Sequence, residues 1–159
     1  MPWTSDGQPA LTSGSTFLTH GLRCRGRYCD DVSLLNVESG YTQTTSWWTD
    51  SFSEEGNNER WLLESTGDGY FTVRARHSGK CMDVGGASTA AGANVLQYTC
   101  NGSNNQRFRL VPYNNGHFAL QAKHGNQCLG IAGASMDDGG FLVQSPYAWT
   151  TNESFRFAP

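Results

Sequence analysis

The chain has 159 residues, enough for one domain with a core and short for two. Only 16% of its residues are charged, the formal net charge is −3, and no basic run appears, which argues against a partner read through its phosphates. With 19 Gly, 8 Phe, 6 Tyr and 5 Trp and few Lys or Glu, the composition sets aside a helical protein in favour of short strands and many turns.

Residues 1–15 are polar and contain no apolar stretch of the kind a signal peptide carries. No apolar run anywhere approaches the roughly 20 residues of a membrane-spanning helix. Five cysteines follow: Cys24, Cys29, Cys81, Cys100 and Cys128. An odd count leaves at least one unpaired. The Cys24-x4-Cys29 spacing occurs in some metal sites, but no second close pair completes a tetrahedral set, so no metal is expected. Disulfides are the favoured use, and with them an oxidising compartment. We therefore expect a secreted protein whose leader has been removed.

From residue 16 onward the sequence repeats. A shift of 47 residues carries Phe71 onto Phe118, Ala75 onto Ala122, His77 onto His124 and Cys81 onto Cys128. The same shift carries Gly86-Ala87-Ser88 onto Gly133-Ala134-Ser135, Gln97 onto Gln144, and Phe108-Arg109 onto Phe155-Arg156, with no gap. An upstream copy is weaker. It shares Asn58-Glu59-Arg60-Trp61 with Asn105-Gln106-Arg107-Phe108 and Asn152-Glu153-Ser154-Phe155. Its Cys29-Asp30-Asp31-Val32 resembles Cys81-Met82-Asp83-Val84, an alignment that needs about five extra residues, placed in the Ser46 to Glu55 stretch.

Three copies result, at about 16–66, 67–113 and 114–159. In the second, strands are expected over Tyr70 to Arg76, Lys80 to Val84, Asn94 to Tyr98 and Gln106 to Val111, divided by turns at Ser78-Gly79, Gly85-Gly86 and Asn101-Gly102. Four strands in each of three copies make twelve. One such unit cannot bury its own apolar face, whereas three around a pseudo-threefold axis close a small capped barrel. A β-propeller typically needs at least four blades.

Each copy closes with Asn, then Gln or Glu, then an aromatic two residues on. Together with the long stretch Gly79-Lys80-Cys81-Met82-Asp83-Val84-Gly85-Gly86, this resembles the Q-x-W repeat of ricin-B-type lectins and the related carbohydrate-binding modules. The resemblance runs roughly from Phe17 to Phe157, best in the second copy and weakest in the first. It implies an all-β β-trefoil of three lobes and a sugar-binding, non-enzymatic role without a cofactor. Galactose, N-acetylgalactosamine and xylan chains are the ligands it suggests.

The resemblance also implies residue roles. Trp61, Phe108 and Phe155 become core residues, one per lobe. Cys81 and Cys100 pair within the second lobe. Cys24 and Cys29 are left to pair locally, and Cys128, whose partner slot holds Tyr147, is left free and buried. The second lobe carries a full sugar-binding set: Asp83 as the carboxylate, Asn105 as the amide, Tyr98 as the stacking ring, and Gln106 to orient them. A turn-capping Asp83 and an ordinary surface Tyr98 are the plainer alternative. The third lobe fails the test, with Gly130 and Ser145 in place of Asp83 and Tyr98. In the first, Asp31 and Asn58 fill two slots, and Trp47, Trp48 or Phe52 is needed for the ring.

Two rival functions stay in view. A glycosidase needs two carboxylates across a cleft, and although Asp30, Asp31, Asp50, Glu54 and Glu55 lie near one another in sequence, nothing sets two of them face to face. His77 and His124 recur at one repeat position, which points to structure rather than catalysis. The other rival is a protein-binding trefoil, a toxin accessory subunit or protease inhibitor. It would use the basic loop Cys24-Arg25-Gly26-Arg27-Tyr28-Cys29 and the Trp47-Trp48 pair, since Arg and aromatics dominate interface hot spots.

Overall fold

The computed structural model describes residues 16–25, 28–37, 45–50, 60–76, 78–112, 117–134, 141–148 and 153–158, those before Trp61 by their backbone pairing. Among these residues the strands are β1 (Thr16–Arg25), β2 (Tyr28–Val37), β3 (Thr45–Asp50), β4 (Arg60–Ser65), β5 (Phe71–Ala75), β6 (Cys81–Val84), β7 (Val95–Tyr98), β8 (Phe108–Pro112), β9 (Phe118–Ala122), β10 (Cys128–Ile131), β11 (Leu142–Ser145) and β12 (Phe155–Ala158). Single 3-10 turns occupy Gly85–Ala87, Asn104–Gln106 and Ala132–Ala134. The strands of the second lobe fall within a residue or two of their expected bounds.

The pairings close a ring. β1 pairs β4, β4 pairs β5, β5 pairs β8, β8 pairs β9, β9 pairs β12, and β12 returns to β1, all antiparallel. The hairpins β2–β3, β6–β7 and β10–β11 lie outside the ring and cap it. They also touch one another, through β3–β7 and a bridge between Asn94 and Val143. A six-stranded barrel under three hairpins, one per lobe, is the β-trefoil.

The repeat is a repeat of burial. Phe71 and Phe118, Val73 and Leu120, Ala75 and Ala122, Met82 and Leu129, Val84 and Ile131, and Val95 and Leu142 are all buried, pair by pair. In β5 the residues between them, Thr72 and Arg74, are only partly buried, the period-2 pattern of a strand with one core face. Trp61, Phe108 and Phe155 are completely buried in the shared core. Outside it, the Asp68 carboxylate of the β4–β5 turn accepts hydrogen bonds from Lys123 Nζ at 2.6 Å and Arg107 Nη1 at 3.1 Å, tying the turn to two lobes. The Lys123 bond, chiefly, holds that carboxyl well below its usual range.

The barrel register corrects the alignment of the first lobe. Trp61 pairs Ala75, Phe108 pairs Ala122 and Phe155 pairs His20, so these three partners are equivalent. The residue before each then faces the cap strand: Arg74 faces Cys81, Gln121 faces Cys128, and Thr19 faces Leu34. Leu34, and not Cys29, is the counterpart of Cys81. Asn36 is therefore the counterpart of Asp83, and Asp31 lies opposite Leu22 on a longer β1–β2 hairpin. No extra residues are then needed between Asn36 and Trp61; the insertion lies in that hairpin, where Thr19 and Leu34 are 15 residues apart against 7 for Arg74 and Cys81, upstream of where the sequence alignment put it. At its far end Cys24 stands directly opposite Cys29.

Cys81 and Cys100 form a disulfide across 19 residues. Cys128 is free and buried, and burial first, with the nearby Glu153 charge, pushes its thiol up to about 12. A thiol that ionises so late is a poor nucleophile. Iodoacetamide should therefore leave Cys128 unmodified at neutral pH in the folded protein and label it fully in denaturant; labelling at equal rates would show that the lobe is open. Phe108→Ala should cost about 3–5 kcal/mol in chemical denaturation, the usual loss for emptying a fully buried aromatic position.

Candidate functional site

The cap hairpin of the second lobe has an inner and an outer side. Across β6 and β7, Met82 faces Gln97 and Val84 faces Val95, and all four are buried. On the other side Cys81 faces Tyr98 and Asp83 faces Leu96. Directly opposed residues share a face, and so do residues two apart along a strand. Asp83 and Tyr98 are thus diagonal neighbours on the outer face. Tyr98 is 43% exposed, one of the few large apolar side chains left open to solvent among the described residues.

The 3-10 turn Asn104–Gln106 brings two amides under the carboxylate. Asn105 Nδ2 donates to Asp83 Oδ1 at 3.1 Å and to the Val84 carbonyl at 3.1 Å. Gln106 Nε2 donates to Asp83 Oδ2 at 2.8 Å and to the Thr99 carbonyl at 2.9 Å, while its Oε1 accepts from Asn101 N–H at 2.9 Å. Gln106 has now used both donors and is fully buried, so what it does here is hold the Asp83 carboxylate in place. Asn105 has used both donors and keeps Oδ1 to accept. Asp83 carries one protein bond on each oxygen, and a carboxylate offers about four lone-pair sites. Two acceptor positions remain, on a residue that is 5% exposed.

Burial raises the Asp83 carboxyl above its ordinary 3.8, and the hydrogen bonds from Gln106 and Asn105 and the charge of His124 pull it partly back. The group is held where its charged form is least comfortable. Two free acceptors beside an exposed ring suit a ligand with adjacent hydroxyls and an apolar face.

The third lobe shows the same frame with reversed polarity. Glu153 is buried in the place of Gln106, and its Oε2 accepts from Ala148 N–H at 3.0 Å, the equivalent of the Gln106 bond to Asn101. A carboxylate has no donor to offer, and Gly130 leaves no carboxylate to receive one. Glu153 Oε1 instead accepts from Ser145 Oγ at 3.2 Å, the residue that replaces Tyr98. Asn152 lies outside the described residues.

For the first lobe, the register gives Asn36 the Asp83 slot and Asp50 the Tyr98 slot, since Leu34 pairs Asp50 as Cys81 pairs Tyr98. Trp48 takes the slot of Leu96, and Trp47 that of Val95. Asn58, with Phe52, Glu54 and Glu55, lies outside the described residues, as does His77.

Comparison with known proteins finds the same frame. A family model described as ricin-type beta-trefoil lectin domain-like matches residues 31–98 and 57–145. The designed threefold-symmetric protein ThreeFoil superposes with a TM-score of 0.81 at 34% identity, covering 91% of this chain and 98% of its own. The exo-β-1,3-galactanase 1,3Gal43A from Clostridium thermocellum superposes at 0.81 and 21% identity over 96% of this chain. The Polyporus squamosus lectin, solved with the epitope Neu5Acα2-6Galβ1-4GlcNAc, superposes at 0.74 and 18% identity over 91%. This chain spans 31% of the galactanase chain and 48% of that lectin chain. No curated protein sequence matches it.

The reversed polarity of the third lobe has a measurable consequence. Gly130→Asp alone sets a second buried carboxylate beside Glu153 and should cost about 2 kcal/mol or more. Adding Glu153→Gln restores a donor and should recover most of that loss in denaturant titrations. Equal stability of the single and double variants would show that the two positions do not face each other.

Proposed function

The chain belongs to the ricin-type β-trefoil lectin domain-like family, and from that premise we propose that it is a non-catalytic carbohydrate-binding module that takes a galactose-type sugar or a xylan-type glycan in its second lobe. The carrying observation is the Asp83 carboxylate, oriented by Asn105 and Gln106 and left with free acceptor positions beside exposed Tyr98. Two adjacent sugar hydroxyls donate to Asp83, a third donates to Asn105 Oδ1, and the Tyr98 ring lies under the C–H face. The first and third lobes lack the carboxylate and ring in the matching slots, so the proposal is for one site per chain.

An extracellular setting fits this reading, since the Cys81–Cys100 disulfide persists under oxidising conditions. A local Cys24–Cys29 bridge fits it too, the two being cross-strand partners. No helix among the described residues is long and apolar enough to cross a membrane.

Isothermal titration with lactose and xylotriose tests the assignment. Asp83→Ala should weaken binding at least about tenfold, because hydrogen bonds to a charged group are worth roughly 1.5–3 kcal/mol each. Tyr98→Ala should weaken it roughly threefold or more by removing the ring. Asn152→Ala should leave it unchanged. Binding by Asp83→Ala at parental affinity would move the site elsewhere, and a wild-type chain that binds neither sugar nor other arrayed glycans would favour a protein partner.

The pH dependence has a definite sign. A folded-state value above 3.8 means that the folded protein holds the Asp83 proton more tightly than the unfolded chain does. Protonating Asp83 therefore favours the fold while removing the acceptor charge. Sugar affinity should fall on acidification, starting above pH 3.8, with the near-ultraviolet spectrum of the folded domain intact. Affinity that is flat down to the unfolding transition would exclude the carboxylate from the site.

A further inference from the structure

The loop between β6 and β7 runs from Gly85 to Asn94 and begins directly after Asp83 and Val84, at the carbonyl that Asn105 holds. Its first turn is strained. Gly86 and Ala87 both have left-handed backbones, with φ of 62° and 52°, and Ala87 has no glycine's freedom there. A bond from Gly85 N–H to the Asn94 carbonyl at 2.9 Å closes the loop at its base, and beyond it the loop's own bonds are few and long: Ser88 N–H to the Gly85 carbonyl at 3.2 Å, Ala90 N–H to Ser88 Oγ at 3.1 Å, and Ala93 N–H to the Ala90 carbonyl at 3.3 Å.

The rest of its support comes from the third lobe. His124 Nε2 bonds the Ser88 carbonyl at 2.7 Å, which requires the proton on Nε2. Gln144 Nε2 donates to the same carbonyl at 2.7 Å and to that of Ala90 at 2.8 Å. Gln127 Nε2 donates to the Thr89 carbonyl. The backbone of Gln144 exchanges bonds with Gly92 and Ala93, at 2.7 and 3.0 Å. Gly125 lies so close that a Cβ there would sit 3.5 Å from Thr89 Cγ2. Three consecutive carbonyls of the second lobe are thus held by side chains of the third.

We infer that the third lobe, which lacks a sugar site of its own, completes the site of the second: His124, with Gln127 and Gln144, is a positioning residue that holds the Gly85–Asn94 loop against Asp83 and Asn105. This rests on the second lobe being the sugar site. The loop leaves β6 two residues after Asp83, at the end of the hairpin opposite the Cys81–Tyr98 pair. Without the clamp its strained turn relaxes, the Val84 carbonyl shifts, and Asn105 loses the second of its two anchors. Gln144 is wholly buried, so its replacement would perturb the core. His124 is only partly buried, at a turn, and is the position to change.

The test uses the full chain and four variants, His124→Ala, His124→Gln, Leu110→Val and Asp83→Ala, titrated with lactose and xylotriose well below each unfolding midpoint. Leu110 lies in the barrel core away from the loop, so Leu110→Val reports what general destabilisation does to binding. His124→Ala should weaken binding roughly three- to tenfold, the worth of one hydrogen bond. Leu110→Val should bind like the parent, and His124→Gln, which keeps an N–H donor of similar reach, should recover at least half of the loss. Parental affinity in His124→Ala, an equal loss in Leu110→Val, or no recovery in His124→Gln overturns the inference. The underlying reading fails separately: it is lost if Asp83→Ala binds as the parent does, whatever the His124 variants show.

Discussion

Closing six strands into a ring removes every free edge and leaves an interior that only a limited set of side chains can fill. Trp61, Phe108 and Phe155 meet that constraint from β4, β8 and β12, and the ring strands between them supply Phe71, Val73 and Ala75 and their repeats. Each ring strand pairs with strands of its own and of a neighbouring lobe, so no lobe has a complete core alone. The register of the ring then dictates where each cap hairpin begins. Everything on the outer face, including the relation of Asp83 to Tyr98, follows from those pairings.

Once the ring holds the frame, the caps are free to diverge. The second and third lobes share their backbone down to the left-handed pair, Gly86-Ala87 and Gly133-Ala134. They differ in a few side chains that change together. Where the cap strand has Asp83, the closing turn has an amide that donates to it; where the strand has Gly130, the turn has Glu153, which accepts from Ser145 and Ala148. The pairing rule is electrostatic, since a buried carboxylate needs donors and cannot sit beside another. A carboxylate whose burial opposes its charge, yet which is retained and half satisfied, is a local cost to the fold at the position where a ligand would supply the missing bonds.

Much of this was legible because the constraint is periodic. The 47-residue shift identified the paired core positions and the strands of the second lobe, while the resemblance to ricin-B-type lectins supplied the buried closing aromatics and the slots of Asp83, Tyr98, Asn105 and Gln106. The recurrence of His77 and His124 pointed to a structural role, and His124 has one in its bond to Ser88. The first lobe misled. Cys29-Asp30-Asp31-Val32 matches Cys81-Met82-Asp83-Val84 in three of four letters, but letters do not carry register. Barrel pairing does, and it places Leu34 to Val37 in that slot. The clamp on the β6–β7 loop was invisible for another reason: its donors lie more than thirty residues from its acceptors, and an amide side chain shows no preference for such a partner in sequence.

The pairing of β1 with β12 has a kinetic meaning. Phe17 is opposite Ala158, so the ring is sealed by its first strand and its last. Hairpins such as β4–β5 and β8–β9 form from neighbouring residues, but the seal must wait until a loop of nearly the whole domain has closed. High contact order of this kind slows folding, to milliseconds or longer in all-β domains. It also places the two chain-end strands of the barrel at the same seam, where opening one exposes the edge of the other. Loss of that seam is the natural first step of unfolding, and amide exchange in β1 and β12 would then report that opening together, at a lower free energy than the rest of the barrel.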